Sequence, residues 1–329
     1  MSQRHLIVAV GHTWPTLEVE RAVLEAGDIV LVDGRDLSRD SHVWNGVEGV
    51  LLGSAVRIDA VRLGEMPACR GIVRYGMGFD NVDVETATMR GVVVCNVRDY
   101  CVDEVAEHVL AFAFSCAREL SHWDRNVRAG VWRGPAPPKL RRIASSCLGI
   151  VGYGLIGRRL AQKSLGLFAR VIVCDPWVEP DPEDLASGII FERDLSALVS
   201  AADIVSLHVP LTSATRHLID SAALARMKQD AVLINASRGG LVDEQALIAT
   251  LESGALRAAA LDTFSSEPIA ADHALLRTSR LLLSPHVAWL SEQAESELRA
   301  SAAFEIRRII QGEAPLSPVN LVARPHASL

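Results

Sequence analysis

No run of apolar residues in this chain of 329 residues approaches the length of about 18 that a membrane-spanning helix needs. The apolar run near the N-terminus covers only residues 6–10, which is too short for the core of a signal peptide. These absences predict a soluble protein of the cytoplasm without a membrane partner.

None of the six cysteines stands in a C-x-x-C pair, so the sequence gives no sign of a zinc site. We expect buried free thiols in a reducing compartment, and no bound metal. The chain has 33 Lys and Arg against 40 Asp and Glu, which gives a net charge of −7. A surface of this charge does not attract nucleic acid as a whole, and no nucleic-acid partner is predicted.

Short apolar runs alternate with helix-like segments along the chain. In the first hundred residues the runs are LIVAV, IVLVDG, VEGVLLG, GIVRYG and VVVCNV. A second series begins near Cys147 with LGIVGYG, RVIVCD, DIVSLHVP, AVLINAS, LRAAALD and RLLLSPH. This alternation is typical of parallel sheets in layered α/β domains, and the length allows two of them. Between the two series, the pattern predicts one long helix from about residue 102 to residue 129.

The stretch GIVGYGLIGRRLAQ combines a strand, a Gly-x-Gly-x-x-Gly pattern and a helix, which is typical of a dinucleotide-binding unit. Gly152 would allow a tight turn, Gly154 a close approach to pyrophosphate, and Gly157 close packing of helix on strand. The N-terminus of the helix would offer free N–H groups to the phosphates. The next strand ends in Asp175, whose carboxylate can bind both ribose hydroxyls and would repel a 2′-phosphate. These features predict NAD rather than NADP.

Three later strand ends carry polar side chains, Arg238, Glu267 and His286. In a doubly wound sheet the carboxyl ends of parallel strands share one crevice, so these residues could meet. A guanidinium can hold a carboxylate, an imidazole can exchange a proton near neutral pH, and a glutamate can favour the charged imidazole. Beside a nicotinamide this set suits hydride transfer to a 2-oxo acid. Taken alone, a histidine at a strand end is more often structural.

Nearly the whole chain resembles the D-isomer-specific 2-hydroxyacid dehydrogenases. The similarity lies in RYGMGFDNVD, VDEVAEH, GIVGYGLIG, SLHVPLTSATRHLI, NASRGGLVDE, ALDTFSSEP and SPHVAW, in the family's order and spacing. The resemblance implies that Arg238, Glu267 and His286 are catalytic, and that NAD and a small 2-oxo or 2-hydroxy acid are bound. The formate-oxidising members usually carry Gln where this chain has Glu267, which argues against formate.

The resemblance also implies the domain organisation and the fold class. Residues 1–101 and 288–329 would form a discontinuous substrate-binding domain, and residues 102–287 the NAD-binding Rossmann domain. Both would be Rossmann-like or flavodoxin-like doubly wound parallel α/β domains, with the active site in the cleft between them. The long helix after Val102 is usually where two subunits pair, so a homodimer is expected.

Further contacts are implied by the resemblance, residue by residue. For the substrate they are Arg74, Tyr75, Gly76, Met77, Gly78 and Trp289, with the backbone N–H groups of residues 75–78 receiving the carboxylate. For the cofactor they are Met77, Val105, Gly152, Tyr153, Gly154, Leu155, Ile156, Gly157, Asp175, Pro176, His208, Val209, Pro210, Thr215, Ala236, Ser237, Arg238, Asp262, His286 and Trp289. Within these sets Asp175 would bind the adenosine ribose and Asp262 would lie near the nicotinamide amide.

Within the family, the sequence looks closest to the branch of the C-terminal-binding-protein co-repressors. Arg74 and Trp289 match residues that face the substrate in that branch, and together they would suit a 2-oxo acid with an extended side chain. A surface ion pair of Arg74 and ordinary packing of Trp289 are the structural alternatives. The branch also leaves a second function open, an NADH-responsive dimeric scaffold with little turnover.

Overall fold

The computed structural model describes residues 4–25, 28–38, 40–132 and 140–322. The chain divides into two compact units, one made of residues 1–101 and 291–329 and the other of residues 102–290. From the sequence, the second boundary is expected after residue 287. The last helix of the chain therefore belongs to the first unit, although most of that unit's residues come from the N-terminal third.

The elements follow one another in the expected alternation. The strands are β1 (His5–Val10), β2 (Ile29–Asp33), β3 (Gly49–Leu52), β4 (Gly71–Arg74), β5 (Val93–Asn96), β6 (Cys147–Val151), β7 (Arg170–Cys174), β8 (Ile190–Glu192), β9 (Ile204–Leu207), β10 (Val232–Asn235), β11 (Ala258–Leu261) and β12 (Leu281–Leu283). The helices are α1 (Glu18–Leu24), α2 (Ala60–Gly64), α3 (Val84–Met89), α4 (Val102–Arg118), α5 (Leu120–Arg128), α6 (Leu155–Ser164), α7 (Pro182–Ala186), α8 (Leu195–Ala201), α9 (Ser221–Arg226), α10 (Glu244–Glu252) and α11 (Glu292–Ile310). Every strand that the apolar runs predict is present, and β8 is an additional one.

Each unit is built on one parallel sheet. The strand order is β2-β1-β3-β4-β5 in the first unit and β12-β11-β10-β9-β6-β7-β8 in the second. Both sheets start at an inner strand and wind outward to both edges, as in flavodoxin-like and Rossmann-like sheets. Strands such as β3, β6 and β10 are buried along their whole length, because helices cover both faces of such sheets. The predicted fold class, doubly wound parallel α/β, is confirmed.

Acidic side chains determine where many of the helices begin. An aspartate carboxylate accepts a backbone N–H group in the first turn of α2, α3, α7, α8, α9 and α10, and the Ser291 hydroxyl does so for α11. These contacts satisfy donors that have no partner within the helix, and a carboxylate there also interacts favourably with the helix dipole.

The prediction of a single long helix after Val102 is wrong. Two helices, α4 and α5, stand in its place, because Glu119 between them adopts a left-handed backbone conformation with φ 56°. The Glu119 carboxylate lies 3.5 Å from the guanidinium of Arg257, and that guanidinium also donates to the Ala117 carbonyl at 3.4 Å. A contact from another part of the second unit thus interrupts a segment whose local sequence favours helix.

The last helix, α11, packs against the sheet of the first unit at two glycines. A Cβ atom at Gly49 would lie 2.9 Å from a side-chain carbon of Ile306, and one at Gly71 would lie 2.7 Å from a side-chain carbon of Ile309. Real Cβ atoms do not approach so closely, so the missing side chains on β3 and β4 are what bring the helix into contact with the sheet.

A buried ion pair joins α11 to α1. The Glu20 carboxylate is fully buried and receives the Arg299 guanidinium through two hydrogen bonds of 2.9 and 2.8 Å. The Tyr75 hydroxyl also donates to Glu20, at 3.1 Å, and the guanidinium lies 4.8 Å from the centroid of the Trp14 ring. A buried charge with this many partners is tolerated, whereas the same charge without its counterion would be costly.

The six cysteines are buried free thiols, as the sequence predicts. Burial raises the pKa of Cys69 to about 12, so its thiol stays protonated at neutral pH. The cysteines therefore serve as small apolar side chains of the two cores.

The ion pair yields a stability prediction. Arg299→Met should lower the free energy of unfolding by about 3–5 kcal/mol, because it leaves the Glu20 carboxylate buried without its counterion. The double variant Glu20→Met/Arg299→Met removes both charges and should recover most of that loss. Urea unfolding followed by circular dichroism measures both variants. An Arg299→Met protein as stable as the wild type would contradict this account.

Candidate active site

The glycine pattern forms a turn between β6 and α6. Gly152 has φ +97°, and a Cβ atom there would lie 2.5 Å from the His208 carbonyl oxygen. A Cβ atom at Gly157 would lie 2.1 Å from the Gly152 carbonyl oxygen. At Gly154 no atom of the described structure lies within 4 Å of the Cβ position. Gly152 and Gly157 are thus required by the turn itself, while Gly154 leaves open space before the N-terminus of α6, where an anionic phosphate fits.

Asp175 follows β7 and faces the same turn. Its carboxylate accepts the N–H group of Tyr153 at 2.8 Å and that of Trp177 at 3.0 Å. Each carboxylate oxygen can accept more than one hydrogen bond, so capacity remains for two ribose hydroxyls. The carboxylate is therefore held beside the glycine turn, as a dinucleotide site requires.

The segment after β9 adds an uncharged imidazole. Burial lowers the pKa of His208 to about 4, and its Nε2 atom lies 2.8 Å from the Ser206 hydroxyl. His208 is therefore neutral near pH 7 and adds no positive charge for the phosphates. Further along, the Thr215 hydroxyl donates to the Pro210 carbonyl at 2.6 Å, which fixes the turn of residues 210–215.

His286 and Glu267 are brought together although 19 residues separate them. The Nδ1 atom of His286 lies 2.7 Å from Glu267 Oε2, and Glu267 Oε1 accepts the Phe264 N–H group at 2.9 Å. Because a carboxylate only accepts hydrogen bonds, we assign the proton of this bond to Nδ1. The Nε2 atom of His286 is then the one that can exchange a proton with a substrate.

The charge of Glu267 is favoured at this position. Burial opposes ionisation, but the hydrogen bonds from His286 and Phe264 and the positive charges of His286 and Arg238 outweigh it and lower the pKa of Glu267. Its contribution to stability is therefore present above the ordinary pKa of a glutamate and is lost as the pH falls through the lowered value. At neutral pH His286 faces a carboxylate.

Arg238 lies three residues beyond the end of β10, the strand that pairs with β11. Its guanidinium donates to the Ser237 carbonyl at 2.8 Å, and its own carbonyl accepts the side chain of Asn235 at 2.8 Å. The Ser237 hydroxyl donates to the Leu207 carbonyl at 2.8 Å, which ties this turn to the end of β9. The second unit therefore carries all three predicted catalytic residues at the carboxyl ends of neighbouring strands.

Asp262 follows β11 and is fully buried. Its carboxylate accepts the Val287 and Ala288 N–H groups at 3.0 and 2.9 Å and also the Ser284 hydroxyl. The predicted contact of Asp262 with the nicotinamide amide stays a prediction. The contacts that the structure gives it are with the turn that carries His286.

Trp289 also belongs to that turn. Its indole N–H group donates to the His286 carbonyl at 3.1 Å. Among the other predicted cofactor contacts, Val105 is a buried residue of α4, and Leu155 is an exposed residue at the start of α6. These positions place the predicted cofactor residues of the second unit on its glycine turn, on α4 and at its strand ends.

The predicted substrate residues 74–78 belong to the first unit, where Arg74 ends β4 and the other four residues follow it. Arg74 donates to the Tyr75 carbonyl, and its Nη1 atom lies 1.9 Å from the position that a Cβ atom of Gly76 would take. Gly76, with φ +130°, therefore leaves room for the guanidinium across the loop. The Met77 carbonyl accepts the side-chain amide of Asn96 at 2.6 Å.

One part of the predicted carboxylate site is wrong. The N–H group of Tyr75 donates to the Leu52 carbonyl at 2.8 Å, so it continues the sheet and cannot receive a substrate. The N–H groups of Gly76, Met77 and Gly78 remain as candidates for the anion. The sequence alone could not show which of these four N–H groups is used in the sheet. The residue at which β4 stops pairing depends on its neighbouring strands.

Residues 110–288 match the family model described as D-isomer specific 2-hydroxyacid dehydrogenase, NAD binding domain. The chain belongs to this family. The glycine turn, Asp175 and the open N-terminus of α6 are the features that such a domain needs, so the residues present fit NAD. Neither the family match nor the structure bears on the co-repressor branch, which stays a prediction.

Curated relatives of this dehydrogenase-family chain are about twice as long as the matched part. D-3-phosphoglycerate dehydrogenase of Mycobacterium leprae is 35% identical over 290 residues, which cover 88% of this chain and 54% of the relative. D-3-phosphoglycerate dehydrogenase of Mycobacterium tuberculosis is 34% identical over the same length and coverage. The chain thus spans about half the length of the curated relatives it matches.

Solved structures share the fold over nearly the full length. A Thermus thermophilus protein superposes with a TM-score of 0.84 at 28% identity, covering 96% of this chain and 100% of its own. The NADPH-dependent glyoxylate/hydroxypyruvate reductase of Sinorhizobium meliloti reaches 0.85 at 24% identity, covering 99% and 100%. At that lower identity the likeness shows the fold alone.

The described residues include neither a membrane-spanning helix nor a cluster of metal ligands. No helix within the described ranges is long and apolar enough to cross a membrane. In the same part of the chain, no group of three or more His, Cys, Asp or Glu side chains could hold a metal ion.

The glycine geometry predicts that two similar substitutions differ in effect. Gly154→Ala should leave the unfolding midpoint unchanged but weaken NADH binding by about tenfold or more, because the new methyl group occupies the space before α6. Gly157→Ala should also destabilise the protein by about 1–3 kcal/mol, because its methyl group meets the Gly152 carbonyl. Thermal unfolding and titration of NADH fluorescence measure the two properties. Tight NADH binding by Gly154→Ala would show that the phosphates lie elsewhere.

Proposed function

We propose that the protein is an NAD-dependent D-2-hydroxyacid dehydrogenase, acting as a 2-oxoacid reductase in the reverse direction. The observation that carries this proposal is the 2.7 Å contact between His286 and Glu267. It leaves the Nε2 atom of His286 available to exchange a proton, in the unit that also carries Arg238 and a glycine turn that fits NAD. A proton donor, a carboxylate-binding cation and a hydride source are what reduction of a 2-oxo acid requires.

Bound NADH would supply the hydride that adds to the carbonyl carbon of the 2-oxo acid. His286 would donate its Nε2 proton to the carbonyl oxygen, so that the C=O group becomes CH–OH and the imidazole becomes neutral. The ionised Glu267 favours the protonated imidazole before the transfer and keeps its Nδ1 proton in place afterwards. Arg238 would hold the substrate carboxylate and polarise the carbonyl oxygen. In the direction of oxidation, His286 would accept the hydroxyl proton.

The names of the relatives and fold neighbours support a proposal for the substrate class. The curated relatives are named for 3-phosphoglycerate, and fold neighbours of lower identity are named for lactate, hydroxyisocaproate and mandelate. All of these acids carry a hydroxyl on the carbon next to the carboxylate. We propose a small 2-hydroxy acid of this kind, and the N–H groups of Gly76, Met77 and Gly78 stay candidates for binding its carboxylate.

Arg74 and Trp289 have partners of their own in the structure, since Arg74 donates to the Tyr75 carbonyl and Trp289 to the His286 carbonyl. Their role in selecting an extended side chain stays a prediction. The scaffold hypothesis gains no support from the relatives, whose names are those of dehydrogenases.

We also propose a cytoplasmic homodimer. Six free thiols suit a reducing compartment. The pairing surface would include α5, where Leu120 and Val127 expose 55% and 54% of their surface. Exposed apolar side chains close together on a helix are a feature of subunit contacts.

The cofactor preference is the first test of this function. Asp175 should make the catalytic efficiency with NADH at least about tenfold higher than with NADPH, equivalent to about 1.4 kcal/mol, because its carboxylate repels a 2′-phosphate. Steady-state kinetics of the wild type and of Asp175→Asn with both cofactors measure the preference. Equal efficiencies in the wild type would mean that Asp175 does not face the adenosine ribose.

The second test concerns the proton donor. His286→Ala should lower kcat by about a hundredfold or more while NADH still binds. In Glu267→Gln, the rate of 2-oxoacid reduction should begin to fall at a lower pH than in the wild type, because the imidazolium loses the charge that stabilises it. The pH dependence of turnover in the two variants, with NADH affinity as the control, gives the answer. Full activity of His286→Ala would eliminate this mechanism.

A further inference from the structure

His108 belongs to the VDEVAEH stretch, where the proposed chemistry gives it no task. It lies on α4, and its Nε2 atom is 3.0 Å from the Ser284 hydroxyl oxygen. The ring contacts Phe112 edge to face, with 4.4 Å between the centroids, and a quarter of the side chain is exposed. Ser284 in turn donates to Asp262, whose Oδ1 atom lies 4.0 Å from His108 Nε2.

The directions of these hydrogen bonds follow from the chemistry of the groups. Ser284 has a single hydroxyl proton, which it donates to the Asp262 carboxylate. The Ser284 oxygen must then accept from His108, so His108 carries its proton on Nε2. A line of donors thus runs from His108 through Ser284 to the carboxylate of Asp262.

Asp262 holds the turn around His286 from both sides. The N–H group of His286 donates to the Asp262 carbonyl at 2.8 Å, and the N–H groups of Val287 and Ala288 donate to its carboxylate. His286 itself has φ +55°, a left-handed conformation that is uncommon outside glycine. Such a backbone persists where the surroundings determine it, and here the surroundings are the hydrogen bonds to Asp262.

We propose that His108 and Ser284 are positioning residues for His286. His108 holds the Ser284 hydroxyl, and Ser284 donates to the buried Asp262 carboxylate. Together they hold Asp262 where it fixes the left-handed turn and thereby direct the His286 imidazole toward Glu267. The inference deepens the proposed function and rests on it, since His286 is the group that is positioned. It predicts that removing a donor at a distance from the reacting atoms loosens the turn and slows the chemical step.

The test compares four variants of the full chain. Ser284→Ala and His108→Leu remove the two links, and Ser284→Thr keeps the hydroxyl. His5→Leu is the matched control, because it removes another imidazole bonded to a carboxylate, that of Glu48 at 2.9 Å in the first unit. Hydrogen exchange of the Val287 and Ala288 amides, measured by NMR without cofactor, reports on the turn. Steady-state turnover of a 2-oxo acid and the affinity for NADH report on positioning.

We expect Ser284→Ala and His108→Leu to speed amide exchange and to lower kcat, each by about tenfold, because each variant removes a hydrogen bond from the line of donors that ends at Asp262. The affinity for NADH should stay within about twofold, a ratio worth less than about 0.5 kcal/mol. Ser284→Thr and His5→Leu should behave as the wild type. Unchanged exchange in both link variants, or faster exchange with unchanged kcat, would overturn the proposal. If the wild type reduces no 2-oxo acid, the proposed function fails, while the exchange rates still decide whether His108 holds the turn.

Discussion

The parallel pairing of every strand is the constraint on which the candidate site depends. It brings the carboxyl ends of β10, β11 and β12 side by side, and the turns that leave them carry Arg238, Asp262 and His286. Since each strand is followed by a connection that returns to the opposite end of the sheet, residues distant in sequence meet at this one edge. The same geometry puts the glycine turn after β6 and Asp175 after β7 on that edge.

Within this edge, two carboxylates have different tasks because their surroundings differ. Glu267 is half-buried beside the His286 imidazole and stays charged with the help of positive neighbours. Asp262 is fully buried and accepts hydrogen bonds from the turn that carries His286. The first carboxylate would support proton transfer, and the second fixes the backbone that carries the proton donor. A buried carboxylate with a full set of donors is well suited to impose an uncommon backbone conformation.

The sequence was sufficient for elements that a periodic pattern defines. Eleven strands follow from continuous apolar runs, and the turn at Gly152 follows from glycines between a strand and a helix. β8 was not predicted because it is short: its three residues, Ile190–Glu192, are not buried and overlap an apolar run of only three residues, 189–191. The break between α4 and α5 at Glu119 was not predicted, because Arg257, whose contact causes it, is distant in sequence. Single contacts of this kind leave no trace in local periodicity.

The same limit applies to the candidate site. Residue types at strand ends pointed to Arg238, Glu267 and His286, but nothing in the spacing indicated that Tyr75 uses its N–H group in the sheet. The sequence equally could not predict the link from His108 to Asp262, because the two residues are far apart in the chain and are joined through Ser284.

The most direct measurement of the central claim is turnover of a series of 2-oxo acids with NADH, from glyoxylate and pyruvate to longer and acidic members. Loss of the absorbance of reduced nicotinamide gives the rate, and chiral separation identifies the product. The account predicts that at least one member is reduced with catalytic turnover and that its product is the D-2-hydroxy acid. Tight binding of NADH without consumption of any member of the series, or an L-configured product, would contradict it.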